Sequence, residues 1–255
     1  MAVVPAADQV LSVLRYLSVQ AGPVPAVTVS RDLGLPRSTT YHLLDTLVRA
    51  GFVAHLAGEH KYGLGLAAYE LATGYSRQAP LRRFARMPLA RLVDQVGHNA
   101  HLAVMHGRDV VYLIEERAPG RPPLVTDVGV RLPAHLTASG RALLARLPHA
   151  QVRALFPDQS AFVLRTERGP LSLSALRQLL VVTRRRGWAE EAGEVTAGFS
   201  SLAVASCDHT GHPVAAVAVT FPTDEVGEPE RAVLTRHIDR AAAELTQLVG
   251  GRLVA

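Results

Sequence analysis

A chain of 255 residues, 48% hydrophobic and 19% charged, has apolar material for one large core or two small ones and is neither disordered nor fibrous. No apolar run nears the ~20 residues that span a bilayer, and the start, MAVVPAADQV, lacks the basic flank and long apolar stretch of a secretory leader. The net charge of +5 permits a polyanionic partner, and Cys207, the one cysteine, excludes an intramolecular disulfide and points to a cytoplasmic protein.

Val10, Leu11, Leu14 and Leu17 recur at helical spacing, with Asp8 as the expected cap. The stretch AGPVP (21–25) breaks that helix. A second, short helix is predicted over 26–33, closed at Gly34. Pro36 then suits the first position of a third helix. There Thr40, Leu43, Leu44, Leu47 and Val48 fall on one stripe, which predicts a buried face. Arg37, Ser38, Thr39, Tyr41, His42 and Asp45 are left on the open side. FVAHLAGEHKYGLG (52–65) reads as a β-hairpin turning near Gly58.

Helix, helix, short turn, helix and hairpin is the order of a winged helix-turn-helix. In that module the first residues of the second helix of the pair meet base edges and phosphates. Short hydroxyls suit phosphate oxygens or thymine methyls, arginine suits guanine, and a free helix N-terminus favours phosphate. Poor helix formers are tolerable at Ser38 and Thr39 because the leucine stripe anchors the helix. The bland alternative makes them local caps. Charge is weak support: residues 1–65 carry five basic groups, including Lys61, the sole lysine, against four acids.

Residues 64–80 read as a connecting helix, and 81–97 as a helix with arginines on its open side. Residues 101–116 suggest two strands around a His-Gly-Arg-Asp turn. Helical stretches recur at 138–147, 150–156 and 172–186, with TRRRG (183–187) ending the last. Residues 200–221 form another hairpin turning at 208–211, and 229–249 a closing helix. This mixture predicts an α+β domain on a mainly antiparallel sheet.

The segments LGLPRSTTYHLLDTL (33–47), YGLG (62–65), RLPAHLTASGRALLA (131–145) and RGWAEEAGEVTAGFSSLAVASCDHTGHPVAAVAV (186–219) together resemble the isocitrate-lyase-regulator (IclR) family of bacterial transcription factors. The resemblance implies a DNA-binding domain (1–65), a linker helix (66–80) and an effector-binding domain (81–255). It implies a double-stranded operator as partner, a small-molecule effector, and homodimers that often pair as dimers of dimers. The DNA contacts it implies are Arg37, Ser38, Thr39, Tyr41 and His42, with Lys61 on the wing; His42 stands where many members carry arginine. The implied effector pocket comprises Ala138, Ser139, Glu191, Ser201, Ala218 and Thr220, with Leu124 and Leu132 as a nearby apolar wall. Ala218 and Thr220 share one strand face by period-two geometry. The TASG turn offers N–H groups at a helix start.

No cofactor or metal is expected. His98, His101 and His106 lack a companion Cys or carboxylate cluster at ligand spacing, which leaves them as surface and loop histidines. An esterase built on Ser200, Ser201 and His209 or His212 lacks the second glycine of a nucleophile elbow. The remaining alternative is a small-molecule sensor or enzyme whose N-terminal module docks protein instead of DNA.

Overall fold

The computed structural model describes residues 4–71 and 80–250, which divide into two compact units, residues 1–79 and 80–255. In the first, α1 (Pro5–Ser18), α2 (Ala26–Leu33) and α3 (Arg37–Arg49) pack with β1 (Val24–Pro25), β2 (Val53–Leu56) and β3 (Lys61–Leu64). The strands form an antiparallel sheet in the order β1-β3-β2. Val13, Leu17, Val29, Leu43, Leu44, Leu47 and Val53 make its core, so the leucine stripe of α3 is buried, with Val48 at its margin.

Several boundaries differ from the sequence reading for local reasons. The first helix starts at Pro5, where a missing N–H costs nothing; Asp8 therefore lies in the first turn and does not cap it. Pro36 is the cap and not the first helical residue: its backbone is extended, and its carbonyl accepts the Thr40 N–H at 2.9 Å and the Thr40 hydroxyl at 3.0 Å. AGPVP breaks the chain as expected but also supplies β1, paired with Tyr62 and Lys61. Pro25 fits there because β1 is an edge strand. The wing turns through a 3-10 stretch, Ala57–Glu59, and His60, not Gly58, takes the left-handed conformation (φ 51°). Gly65 ends the wing where a Cβ would lie 2.3 Å from the Gly51 carbonyl oxygen. Residues 66–71 are helical; the rest of the expected linker, 72–79, lies outside the described residues.

The second unit holds a six-stranded antiparallel sheet in the order β6-β5-β4-β9-β8-β7. Its strands are β4 (Asn99–His106), β5 (Asp109–Glu116), β6 (Arg131–Pro133), β7 (Ala189–Ala192), β8 (Phe199–Cys207) and β9 (Pro213–Pro222). On one face α4 (Pro80–Val96) and α8 (Glu228–Leu248) cover Leu102, Leu202, Val217, Val219 and Phe221. On the other, α5 (Ala138–Arg146), α6 (His149–Leu155) and α7 (Leu173–Arg186) cover Ala103, Tyr112, Ala203, Ala216 and Ala218. The alternation along β9 assigns 217, 219 and 221 to one layer and 216 and 218 to the other, as a pleated strand requires. Gly187 closes α7 in the left-handed conformation (φ 84°), so the TRRRG segment is a helix terminus. Among the described residues, no helix is long and apolar enough to cross a membrane.

Candidate functional site

On α3 the first two turns present Arg37, Ser38, Tyr41 and His42 to solvent, with Thr39 half-buried. Tyr41 is 54% exposed, a large apolar ring left open beside an arginine that forms no ion pair among the described residues. Neither Ser38 nor Thr39 caps the helix, which removes the bland reading of those hydroxyls. Lys61 behaves differently. Its ammonium pairs with Glu59 at 2.9 Å on the wing, a surface ion pair of about 0–1 kcal/mol that a phosphate must displace or share.

The second unit contains a pocket against the sheet face that α5 covers. Cross-strand register builds its polar floor: Glu191 stands opposite Ser201, and Ser201 opposite Thr220. The Ser201 hydroxyl donates to Glu191 Oε1 at 2.8 Å and lies 2.9 Å from the Thr220 hydroxyl. The Glu194 N–H donates to the other Glu191 oxygen at 3.2 Å. On the next rung His101 stands opposite Ala218. The roof is the start of α5, where Thr137 caps the helix by accepting the Gly140 N–H at 2.9 Å. Gly140 is required there, since a Cβ would fall 2.2 Å from the Ala134 carbonyl oxygen.

Arg141 fixes that roof. It is 2% exposed, donates to the His135 and Glu190 carbonyls at 2.9 and 2.8 Å, and forks onto both Glu194 oxygens at 3.1 and 2.7 Å. It is absent from the pocket wall.

The walls enclose about 400 Å³ of space, openings included, and comprise Ala138, Ser139, Glu191, Ser201, Ala218, Thr220 and Leu124 together with residues that sequence reasoning missed. Those are His101, Tyr112, Val125, Thr126, Thr137, Val195, Thr196 and Phe199. Leu132 is elsewhere: it sits on the edge strand β6 opposite Val110, 1% exposed and packed in the core on the same sheet face, outside the cavity lining. His98, in the bend before β4, and His101, on β4, are both buried, so neither is a surface histidine and only His98 is a loop one.

Burial sets the electrostatics. It pushes the Glu191 carboxyl up to about 7, helped by the Glu194 charge and opposed by the Ser201 hydrogen bond. It pushes His101 down to about 3, so that ring is neutral; its Nε2 lies 3.4 Å from the Thr126 hydroxyl and its Nδ1 has no partner. Burial also holds the Tyr112 phenol well above its usual range, against a hydrogen bond with Ser139. The pocket is therefore lined by hydroxyls, one neutral imidazole and one acid, with no cation.

The serines and histidines of the esterase reading do not come together. Ser200 bonds Thr223 at 2.8 Å and Ser201 is held by Glu191. His209 and His212 lie beyond the far end of β8, at ~3.3 Å per residue too distant to activate either serine.

Comparison with known proteins agrees with this architecture. The IclR helix-turn-helix domain matches residues 6–57, and the bacterial transcriptional regulator IclR C-terminal domain matches 73–247. The HTH-type transcriptional regulator XynR of Escherichia coli is 28% identical over 98% of this chain and 99% of its own. The glycerol operon regulatory protein of Streptomyces coelicolor is 30% identical over 92% of this chain and 94% of its own. An IclR homologue from Microbacterium hydrocarbonoxydans, solved with 4-hydroxybenzoate, superposes with a TM-score of 0.80 at 24% identity, covering 95% of this chain and 98% of that one. This chain belongs to the IclR family: it is a transcriptional regulator, not an enzyme, with an N-terminal helix-turn-helix domain that binds DNA and a C-terminal domain that binds small-molecule effectors.

Proposed function

We propose that this regulator is a cytoplasmic repressor that binds a two-fold-symmetric operator and responds to an aromatic acid, aldehyde or phenol. Arg37, Ser38, Thr39, Tyr41 and His42 read the major groove, and Lys61 reaches phosphate from the wing. A homodimer, or a dimer of dimers, sets two half-sites about one helical turn or a multiple of it apart. The observation that carries the effector class is the make-up of the pocket. Leu124, Val125, Val195 and Phe199 give it an apolar body, while Ser139, Ser201 and Thr220 offer a few convergent hydroxyls. Ala138 and Ala218 add only methyl groups. The neighbour solved with 4-hydroxybenzoate supports the same class.

Calorimetry with a phenolic panel and a short-acid panel tests this reading. The expected result is tighter binding of the phenolic compounds than of glyoxylate or pyruvate. A Ser139→Ala, Ser201→Ala double variant is expected to lose about tenfold or more, at ~1 kcal/mol per hydrogen bond. Tight binding of the short acids alone, or full affinity in the double variant, would contradict it.

A further inference from the structure

Glu191 is the one acid in the pocket wall, 3% exposed, and no arginine, lysine or second titrating carboxyl lines the cavity with it. The groups around it are accounted for. From β8 and β9, Ser201 and Thr220 form the hydroxyl chain that ends on its Oε1. From β4 and β5, His101 and Tyr112 are neutral. Glu194 is neutralised by Arg141. In a neighbouring crevice that Glu191 also borders, lined by Arg141 and Arg186, Arg186 and Arg231 both pair with Glu190. No cation lines the cavity itself to compensate a second negative charge.

The other polar groups of the cavity favour an anion. Ser139, Ser201, Thr220, Thr126, Thr137 and Thr196 contribute hydroxyls, and the start of the nine-residue α5 carries positive dipole charge toward it. His101, 1% exposed with Nδ1 unpartnered, is a further polar group awaiting a ligand. A carboxylate entering beside an ionised Glu191 would place two like charges in a buried site, and such pairs share one proton instead.

We propose that Glu191 takes up a proton as a carboxylic-acid effector enters, forming an acid–carboxylate hydrogen bond with it. The proton comes from solvent, and no covalent bond forms or breaks. This rests on the effector reading above and concerns the acids within it. Below about pH 7 the carboxyl already carries the proton, so binding costs nothing extra. Above that pH each bound acid draws one proton, and affinity falls tenfold per pH unit by linkage.

The test is calorimetry of the full chain with 4-hydroxybenzoate, 4-hydroxybenzamide and pyruvate, at pH 5.5 and 8, in buffers of different ionisation enthalpy. The expected result is close to one proton taken up per bound acid at pH 8, near zero at pH 5.5, and none for the amide. Glu191→Gln is expected to abolish the uptake and to bind the acid more tightly than wild type at pH 8. The wild-type proton count needs no variant, so the proposal stays exposed even if Glu191→Gln folds poorly. Binding of an acid at pH 8 without proton uptake overturns the proposal, as does uptake that persists in Glu191→Gln. It is also overturned if no acid binds at pH 5.5. Uptake with pyruvate but no binding of 4-hydroxybenzoate would remove the aromatic reading and leave this one standing.

Discussion

Replacing Arg141 with methionine is expected to cost about 3–5 kcal/mol of folding stability, the usual loss when one partner of a buried ion pair is removed. The magnitude follows from what the guanidinium leaves behind. Glu194, with its side chain 15% exposed, would lose both forked hydrogen bonds and retain only the Ala192 N–H at 3.1 Å. The His135 and Glu190 carbonyls would each lose a donor. Because those four bonds tie α5 to β7 at Glu190, to the turn after β7 at Glu194 and to His135 just before the helix, the pocket roof is expected to loosen with them. Urea unfolding reads the loss as a lower midpoint with an unchanged slope. A second substitution, Glu194→Met, should recover part of it, since the stranded charge then disappears. A single variant within about 0.5 kcal/mol of wild type would show that Arg141 does not hold the roof.

The largest effect on DNA is expected at Arg37. Its side chain is exposed and forms no ion pair among the described residues, so Arg37→Ala should leave stability within about 0.5 kcal/mol of wild type. A bidentate arginine–guanine contact discriminates by roughly 1–3 kcal/mol. A symmetric dimer makes it twice, so specific affinity should fall from tens-fold to about ten-thousand-fold. Thr39→Ala should act in the same direction with a smaller loss, because Thr39 is half-buried and offers one hydroxyl. Fluorescence anisotropy on specific and scrambled duplexes separates lost readout from lost phosphate contact. If both variants bind the operator as wild type does, α3 is not the recognition helix.

How legible the molecule was depends on how local each signal is. The α3 face could be read directly: Thr40, Leu43, Leu44 and Leu47 are spaced by the helix period, which leaves Arg37 and its neighbours no other side to occupy. The hairpin of β8 and β9 was equally plain, because its turn at 208–211 lies between two apolar runs. Within the pocket, Ser201, Ala218 and Thr220 could be assigned from a family segment, but the row Glu191–Ser201–Thr220 is a property of strand register. Nothing in the sequence says that β7, a four-residue edge strand, pairs with β8. His101 was misread for the same reason. Its environment comes from Ala218 across the sheet and from Tyr112, whose rings stand edge-on at 5.7 Å, and neither contact leaves a local pattern. Leu132 failed in the opposite direction. It is close in sequence to the TASG turn, yet β6 is three residues long and its middle side chain belongs to the core.

Binding-site selection from random duplexes by the full chain, followed by affinity measurement on the selected DNA across 50–200 mM salt with and without saturating effector, tests the central claim most directly. The account predicts an inverted repeat in the selected pool and affinity that falls steeply with salt as phosphate contacts release counterions. It also predicts a shift on adding effector within the roughly 5–150-fold range of ordinary allosteric coupling. A pool no better bound than random DNA, or an affinity that an effector seated in the pocket leaves unchanged, would contradict it.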